Sequence, residues 1–380
     1  MKIVAVALLC AVAGAAVAQS PLSPGAPVAD AEAASPITAA EARATALDFA
    51  KTLEETYVFP EIARRYAAAL REKAASGAYD GLGTAAAFAE QVTADLRAVS
   101  PDNHLRMWVG APPPPGAGPG RRPGGPPGAT GAPSPRRAPI EDAQWLAPGI
   151  AYVRLNVFPP EPEATRAAEA FMADHADAKT VIFDIRTHRG GGLDQMDVIF
   201  PYLFARPTPL VAMDTRASVD RAQGNPIPEG PTLRRVEAGE DVVRRVHSVV
   251  PHAIETRLFD AKVFVLTAGR TASAAEHFAL ALKRTGRATL IGEPTGGAGH
   301  YGGMRPVGTR FAAFVPVGRT FDPETGKGWE GSGVAPDVEV PAARALVTAL
   351  ERAGLAPADA ARIAAGVKVE GSMERIRPRA

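Results

Sequence analysis

Cysteine is nearly missing from this 380-residue chain: the only one, Cys10, lies in an apolar N-terminal run. Once that run is removed, no thiol remains, so a cysteine nucleophile, a disulfide framework and a Cys-rich zinc site are all excluded. Excess charge is missing as well. Lys and Arg number 42 against 41 Asp and Glu, and without Lys2 the two signs balance. A nucleic-acid binder needs a basic footprint, so no nucleic-acid partner is expected. No apolar stretch after the N-terminus approaches the roughly 20 residues of a spanning helix, so no membrane span is expected. The H-E-x-x-H spacing is also missing, the Gly190–Gly192 run has neither the G-x-G-x-x-G fingerprint nor a P-loop lysine, and neither a metal nor a cofactor is expected. No internal repeat is visible.

What is present begins with MKIVAVALLCAVAGAAVAQS. One lysine, an apolar run and the small-x-small site Ala16-Val17-Ala18 make residues 1–18 a secretory leader, and the protein is expected to be exported, periplasmic or secreted. Three helices are expected across 36–110. Thr38 with Glu41 forms a capping box, Pro60 opens a second helix that Gly77 closes, and Thr84 caps a third. SPDNHLRMWVG then reads as a turn leading into a strand. Residues 111–139 hold 11 prolines and 7 glycines; such a tract buries no core and reads as a linker. From 140 to 365, nearly continuous apolar strands (GIAYVRLNVF, KTVIFDIR, KVFVLTAG, RATLIGE) alternate with helical stretches. That alternation predicts an α/β domain with buried parallel strands. Residues 217–261 do not resolve into elements and read as a surface insertion near the cleft.

Two local features carry chemistry. Ser273 directly follows a buried strand and opens a helix. There the hydroxyl stands at a sheet end and backbone amides can face a developing oxyanion. The same position suits a serine that only caps its helix. Gly190-Gly191-Gly192 also follows a buried strand, where it fits either an oxyanion loop or a tight turn with positive φ. The motif around Ser273 is not the G-x-S-x-G elbow, which disfavours the α/β-hydrolase fold.

Taken together, VIFDIRTHRGGG, VFVLTAGRTASAAEHFALALKRTGRATLIGEPTGG and WEGSGVAPDVEV resemble the carboxyl-terminal processing peptidase family. That family also contains the tricorn protease core and the modules of interphotoreceptor retinoid-binding protein. The resemblance covers roughly residues 37–110 and 145–340. It implies a ClpP/crotonase-like layered sheet-and-helix core preceded by a small N-terminal helical domain. One branch of the family pairs its serine with a lysine after the nucleophile helix. Here that stretch reads Gly296-Gly297-Ala298-Gly299, and Lys283 lies roughly 15 Å along the helix from Ser273, out of reach. The tricorn-like branch draws a histidine from before the core and a glutamate from near its end, and His104 and Glu330 match them.

The resemblance therefore implies a serine peptidase acting on a peptide or protein substrate. Ser273 would be the nucleophile, His104 the base and Glu330 its orienting carboxylate. Gly190 or Gly191, with Ala274, would supply the oxyanion hole. Where tricorn has a serine before the histidine, this sequence has Asn103. His300 is expected to line the substrate cleft, while His277, one turn after Ser273, is expected to pack. Glu276 reads as an acid complementing a helix dipole. Two further functions use the same scaffold: a non-catalytic binding protein for an apolar ligand, and an ester hydrolase.

Overall fold

The computed structural model describes residues 32–110, 137–227 and 229–375. The leader at 1–18 and nearly all of the 111–139 tract lie outside the described residues.

Three helices open the fold: α1 (Ala39–Thr56), α2 (Pro60–Ala75) and α3 (Ala85–Val99). Their starts follow from the sequence. Thr38 accepts a hydrogen bond from the Glu41 amide, Pro60 occupies the first turn of α2, and Thr84 accepts from the Ala87 amide. Each cap satisfies a donor that the helix itself leaves open. The apolar faces of the three helices meet in one core with Phe49, Leu53, Tyr66 and Phe88.

That core does not close on itself. It also takes in Phe311, Ala313 and Val315 from the long strand β11, whose range is given below. Strand β1 (Arg106–Val109) leaves α3 and pairs antiparallel with β11, with Arg106 opposite Phe314 and Val109 opposite Phe311. The helical unit is thus bonded into a sheet of the downstream domain.

Two six-stranded sheets form that domain. The first runs β12-β9-β8-β4-β3-β2, built from β2 (Ile140–Ala147), β3 (Ile150–Leu155), β4 (Thr180–Asp184), β8 (Lys262–Thr267), β9 (Thr289–Gly292) and β12 (Val338–Glu339). All of its pairings are parallel except the β2–β3 hairpin. β3 and β4 are buried along their whole length, as the unbroken apolar runs predict. Helices α4 (Pro162–Asp174), α5 (Asp194–Ile199) and α7 (Ala274–Arg284) share one hydrophobic core with β3, β4 and β8, and α8 (Ala345–Ala353) and α9 (Pro357–Gly366) share another with these strands and β9. This is the layered α/β core expected from the sequence.

The second sheet is antiparallel. It contains β1, β5 (Thr208–Arg216), β6 (Leu233–Val236), β7 (Val242–Val249), β10 (His300–Val307) and β11 (Phe311–Phe321). Residues 217–261, expected to be a surface insertion, instead supply helix α6 (Ala217–Gln223) and strands β6 and β7 of this sheet. Their signal is weak because the middle of β7 is the charged pair Arg244 and Arg245, the first half-buried and the second buried, both held in ion pairs. A half-buried strand of that kind shows no apolar run to read.

Phe311 is 1% exposed and stands edge-on to Phe88 at 5.3 Å, joining strand to helices. Phe311→Ala is expected to cost about 3–5 kcal/mol. Urea unfolding checks this, and a cost below about 1 kcal/mol would show that the helical unit does not depend on β11.

Candidate active site

The site is built around an unusual backbone. Ser273 sits at φ 59°, the only non-glycine residue with positive φ among the described residues. That conformation costs an L-residue of order 1–3 kcal/mol and persists only where the surroundings enforce it. The enforcement is visible. The Thr271 hydroxyl donates to Ile185 O, the Ala272 amide donates to His188 O, and the Ser273 amide donates to Glu276 Oε2. One turn further along α7, Phe278 is fully buried against Phe183 and Phe200, which fixes the helix itself.

Glu276 does more than complement a helix dipole. Its carboxylate is fully buried and accepts four hydrogen bonds, from the Ser273 amide, the Thr295 hydroxyl and the Gly297 and Ala298 amides. Burial raises its pKa, opposed by those four donors. The nucleophile turn and the 295–298 loop are thereby held by one side chain.

The glycine run lies alongside. A Cβ on Gly190 would fall 2.7 Å from Ser273 Cβ, and one on Gly191 would fall 1.8 Å from Phe158 O. Only glycine fits at either place. The Phe158 amide donates to Gly190 O and the Gly192 amide donates to Phe158 O. The Gly190 amide donates to His188 Nδ1 at 3.0 Å. Of the three glycine amides only that of Gly191 has no acceptor among the described residues, and the Ala274 amide has none either. Of the three positions expected to form an oxyanion hole, Gly191 and Ala274 have free amides, whereas the Gly190 amide is already engaged.

The histidine and glutamate arrive from two other segments. His104 lies in the turn before β1, where the Asp102 carboxylate accepts from the His104 and Leu105 amides. Its ring is 5.5 Å from that of Phe314 on β11. Glu330 accepts from the amides of Asn103, Gly299 and His300. His104 Nδ1 lies 3.6 Å from Glu330 Oε2. That is longer than the expected hydrogen bond, and Nδ1 is buried without a hydrogen-bond partner. Burial works against the Glu330 charge, but His104, and after it the charge on His300, more than offset this and hold its pKa below the ordinary value.

Among the described residues no hydrogen bond joins Ser273 Oγ to His104; Ser273 and Glu276 form a capping box at the start of α7. A short relay joins the two residues instead. The Gly297 amide donates to Glu276, which holds Ser273, while Asn103, next to His104, donates through Nδ2 to Gly297 O. Asn103 therefore ties the His104 turn to the loop that Glu276 bonds to the Ser273 turn. Lys283 is engaged elsewhere, with Ala335 O and Asp337.

His300, expected to line the cleft, is instead mostly buried between carboxylates. Its Nδ1 is 2.8 Å from Asp102 Oδ2 and 3.8 Å from Glu330 Oε2. Asp102 also accepts from the Tyr57 hydroxyl. Burial disfavours the charge on both members of the His300–Asp102 pair, but the hydrogen bond and mutual attraction outweigh it, raising His300 and lowering Asp102. Asp102 was not singled out by the sequence, although its place two residues before His104 is a recognisable Asx-turn position. Asp102, His104 and Glu330 place ligand-type atoms within 4.8 Å of one another. The oxygens of both carboxylates are already taken by protein donors, so the cluster is a hydrogen-bonded network, not an open metal cradle. His277 packs as expected, with Nε2 2.8 Å from His247 Nδ1, and His247 Nε2 lies 2.9 Å from Asp197.

A layered α/β core thus presents a strained serine, a glycine loop with one free amide, and a histidine–carboxylate cluster in which Asp102 and His104 of the helical unit meet His300 and Glu330 of the downstream domain. A family model for peptidase family S41 matches residues 149–340, just over half of the chain. The chain belongs to that family. A second model, for the N-terminal domain found with this peptidase in eukaryotic interphotoreceptor retinoid-binding protein, matches residues 34–142. Among solved structures, a photosystem II D1 C-terminal processing protease is 24% identical with a TM-score of 0.37, covering 50% of this chain and 42% of its own. Mature CPAF in complex with lactacystin is 16% identical with a TM-score of 0.41, covering 57% and 52%. Tricorn protease is 19% identical with a TM-score of 0.34, covering 57% and 18%. The chain spans about half the length of the first two.

Two outcomes are expected from this geometry. Ser273→Gly relieves the positive φ, whereas Ser273→Ala keeps it, so the glycine variant should be more stable by about 1 kcal/mol despite its greater chain entropy. Thermal unfolding of the two variants side by side decides this, and equal stabilities would mean that the turn is not strained. The His300–Asp102 pair sets a pH window. The raised histidine contributes stability that is complete below about pH 6.5 and lost as pH rises through its folded value. The lowered aspartate contributes stability that is complete above about pH 4 and lost as pH falls through its folded value. Urea unfolding should show the parent losing stability from pH 6 to 9 more steeply than His300→Gln. Parallel profiles would show that the pair does not titrate in this way.

Proposed function

We propose that this protein hydrolyses peptide bonds through an acyl-enzyme, with Ser273, His104 and Glu330 as a triad. The observation that carries this reading is the strained Ser273 turn, held by Glu276 and joined through Gly297 and Asn103 to His104. Such strain is characteristic of functional positions, and a serine that merely capped a helix would not require it.

In this reading Ser273 Oγ attacks the scissile carbonyl carbon while His104 Nε2 takes its proton. The imidazolium that forms faces Glu330 through Nδ1, where the opposite charge stabilises it. The carbonyl oxygen becomes an oxyanion between the Gly191 and Ala274 amides, and the dipole of α7 adds to that field. His104 returns the proton to the leaving amine, and water repeats the cycle on the ester. Substrate closes the gap between Ser273 Oγ and His104, since such contacts often tighten only in the complex. Export follows from the leader reading, and N-terminal sequencing of the mature protein tests it.

Fluorophosphonate labelling followed by peptide mapping should place the adduct on Ser273. Ser273→Ala, His104→Ala and the double variant should each lose activity by about 10⁶-fold, because residues acting as one unit are not additive. Glu330→Gln should lose less, about 10⁴-fold, since it removes orientation and charge but not the nucleophile. Lys283→Ala should match the parent. Undiminished turnover in Ser273→Ala, or a loss in Lys283→Ala as large as that in Ser273→Ala, sinks the triad.

A further inference from the structure

His188 is a fully buried histidine near Ser273 that the triad does not use. Its ring stands edge-on to Phe158 at 4.2 Å. Its Nδ1 receives the Gly190 amide at 3.0 Å, and its carbonyl receives the Ala272 amide. An amide nitrogen can only donate, so Nδ1 must be an unprotonated acceptor and Nε2 must carry the proton. Nε2 is buried without a hydrogen-bond partner. A charged imidazole would lose the Gly190 bond and leave two donors unpaired in apolar surroundings. Burial, with the Arg189 charge adding to it, accordingly pushes this imidazole down to about 3.

The consequence concerns which amide faces the substrate. Gly190 and Gly191 both sit at positive φ, a backbone that glycine can leave easily. Phe158 fixes Gly190 O and the Gly192 amide. The Phe158 bond to Gly190 O holds the Gly190–Gly191 peptide, and among the described residues His188 Nδ1 alone holds the preceding Arg189–Gly190 peptide, through the Gly190 amide. If that acceptor is lost, the Gly190 amide has no partner, and the loop can rotate to bring it towards Ser273 in place of the Gly191 amide. Resting on the oxyanion-hole reading above, we propose that His188 is a positioning residue: by accepting the Gly190 amide, it selects the Gly191 amide as the oxyanion donor.

The geometry distinguishes two conservative replacements. Asparagine places Oδ1 where Nδ1 stands, so His188→Asn keeps the acceptor. Glutamine places Oε1 where Nε2 stands, so His188→Gln moves it away. The test uses the full mature protein and a rhodamine-tagged fluorophosphonate, whose phosphoryl oxygen occupies the oxyanion position. The saturation kinetics separate the maximal labelling rate from the half-saturating concentration. His188→Gln should lower the maximal rate about 10²-fold, the scale of one lost oxyanion donor, and change half-saturation by less than about threefold. His188→Asn should stay within about fivefold of the parent rate, since its acceptor is retained. In ¹⁵N-labelled parent protein, His188 Nδ1 should be unprotonated and coupled across the hydrogen bond to the Gly190 nitrogen. A His188→Gln protein labelled at the parent rate, a His188→Asn protein as slow as His188→Gln, or a protonated Nδ1 overturns the assignment. Should His188→Gln fail to fold, the asparagine rate and the coupling still decide. If the parent itself takes no label at Ser273, the hydrolase reading has failed, and the coupling still reports separately on the Gly190–His188 bond.

Discussion

Everything about the site depends on one buried carboxylate. Glu276 lies in the first turn of α7, and its oxygens take up the Ser273 amide, the Thr295 hydroxyl and two amides of the loop that follows β9. A buried charge is tolerable only when its lone pairs are all in use, and here four donors use them. The result is geometric. The turn that holds the nucleophile cannot relax without releasing Thr295 and Gly297, and Gly297 is also the acceptor for Asn103. The strain at Ser273 is therefore maintained by the same contact that brings the histidine segment near. Polar satisfaction and backbone strain here form one mechanism.

Charge in the pocket is arranged in two pairs. His104 pairs with Glu330, while His300 pairs with Asp102 and shares Glu330 as a neighbour. The second pair joins the helical unit, through Asp102 and Tyr57, to β10. It neutralises part of the carboxylate charge that would otherwise accumulate around a single imidazole. The glycine side carries no such charge. There a neutral histidine, an aromatic ring and backbone groups set the geometry, which keeps the region where an oxyanion would form free of competing anions.

Much of this was legible in the sequence, for identifiable reasons. Parallel strands buried on both faces leave unbroken apolar runs, so β3, β4, β8 and β9 could be read directly. Helix starts carry their own chemistry, as Thr38, Pro60 and Thr84 show. His104 and Glu330 stood out only through the family resemblance, whereas Ser273 was also marked by its place between a buried strand and a helix. What stayed hidden depends on tertiary contact. β7 has the charged pair Arg244 and Arg245 at its middle, so it shows no apolar run. Asp102 and His188 are polar residues in turns, and only the folded chain shows that one binds His300 and the other the Gly190 amide. His300 looked available to a substrate because sequence cannot show that a carboxylate 198 residues away already holds it.

The two strands that flank the Pro/Gly tract enter different sheets: β1 pairs with β11, and β2 with β3. The helical unit meets the rest of the protein through a strand pairing, a shared apolar core and the Asp102–His300 contact, all of them non-covalent. Opening that interface would withdraw Asp102 and His104 together from His300 and Glu330, so the histidine–carboxylate cluster is only as persistent as the non-covalent contact between the two units.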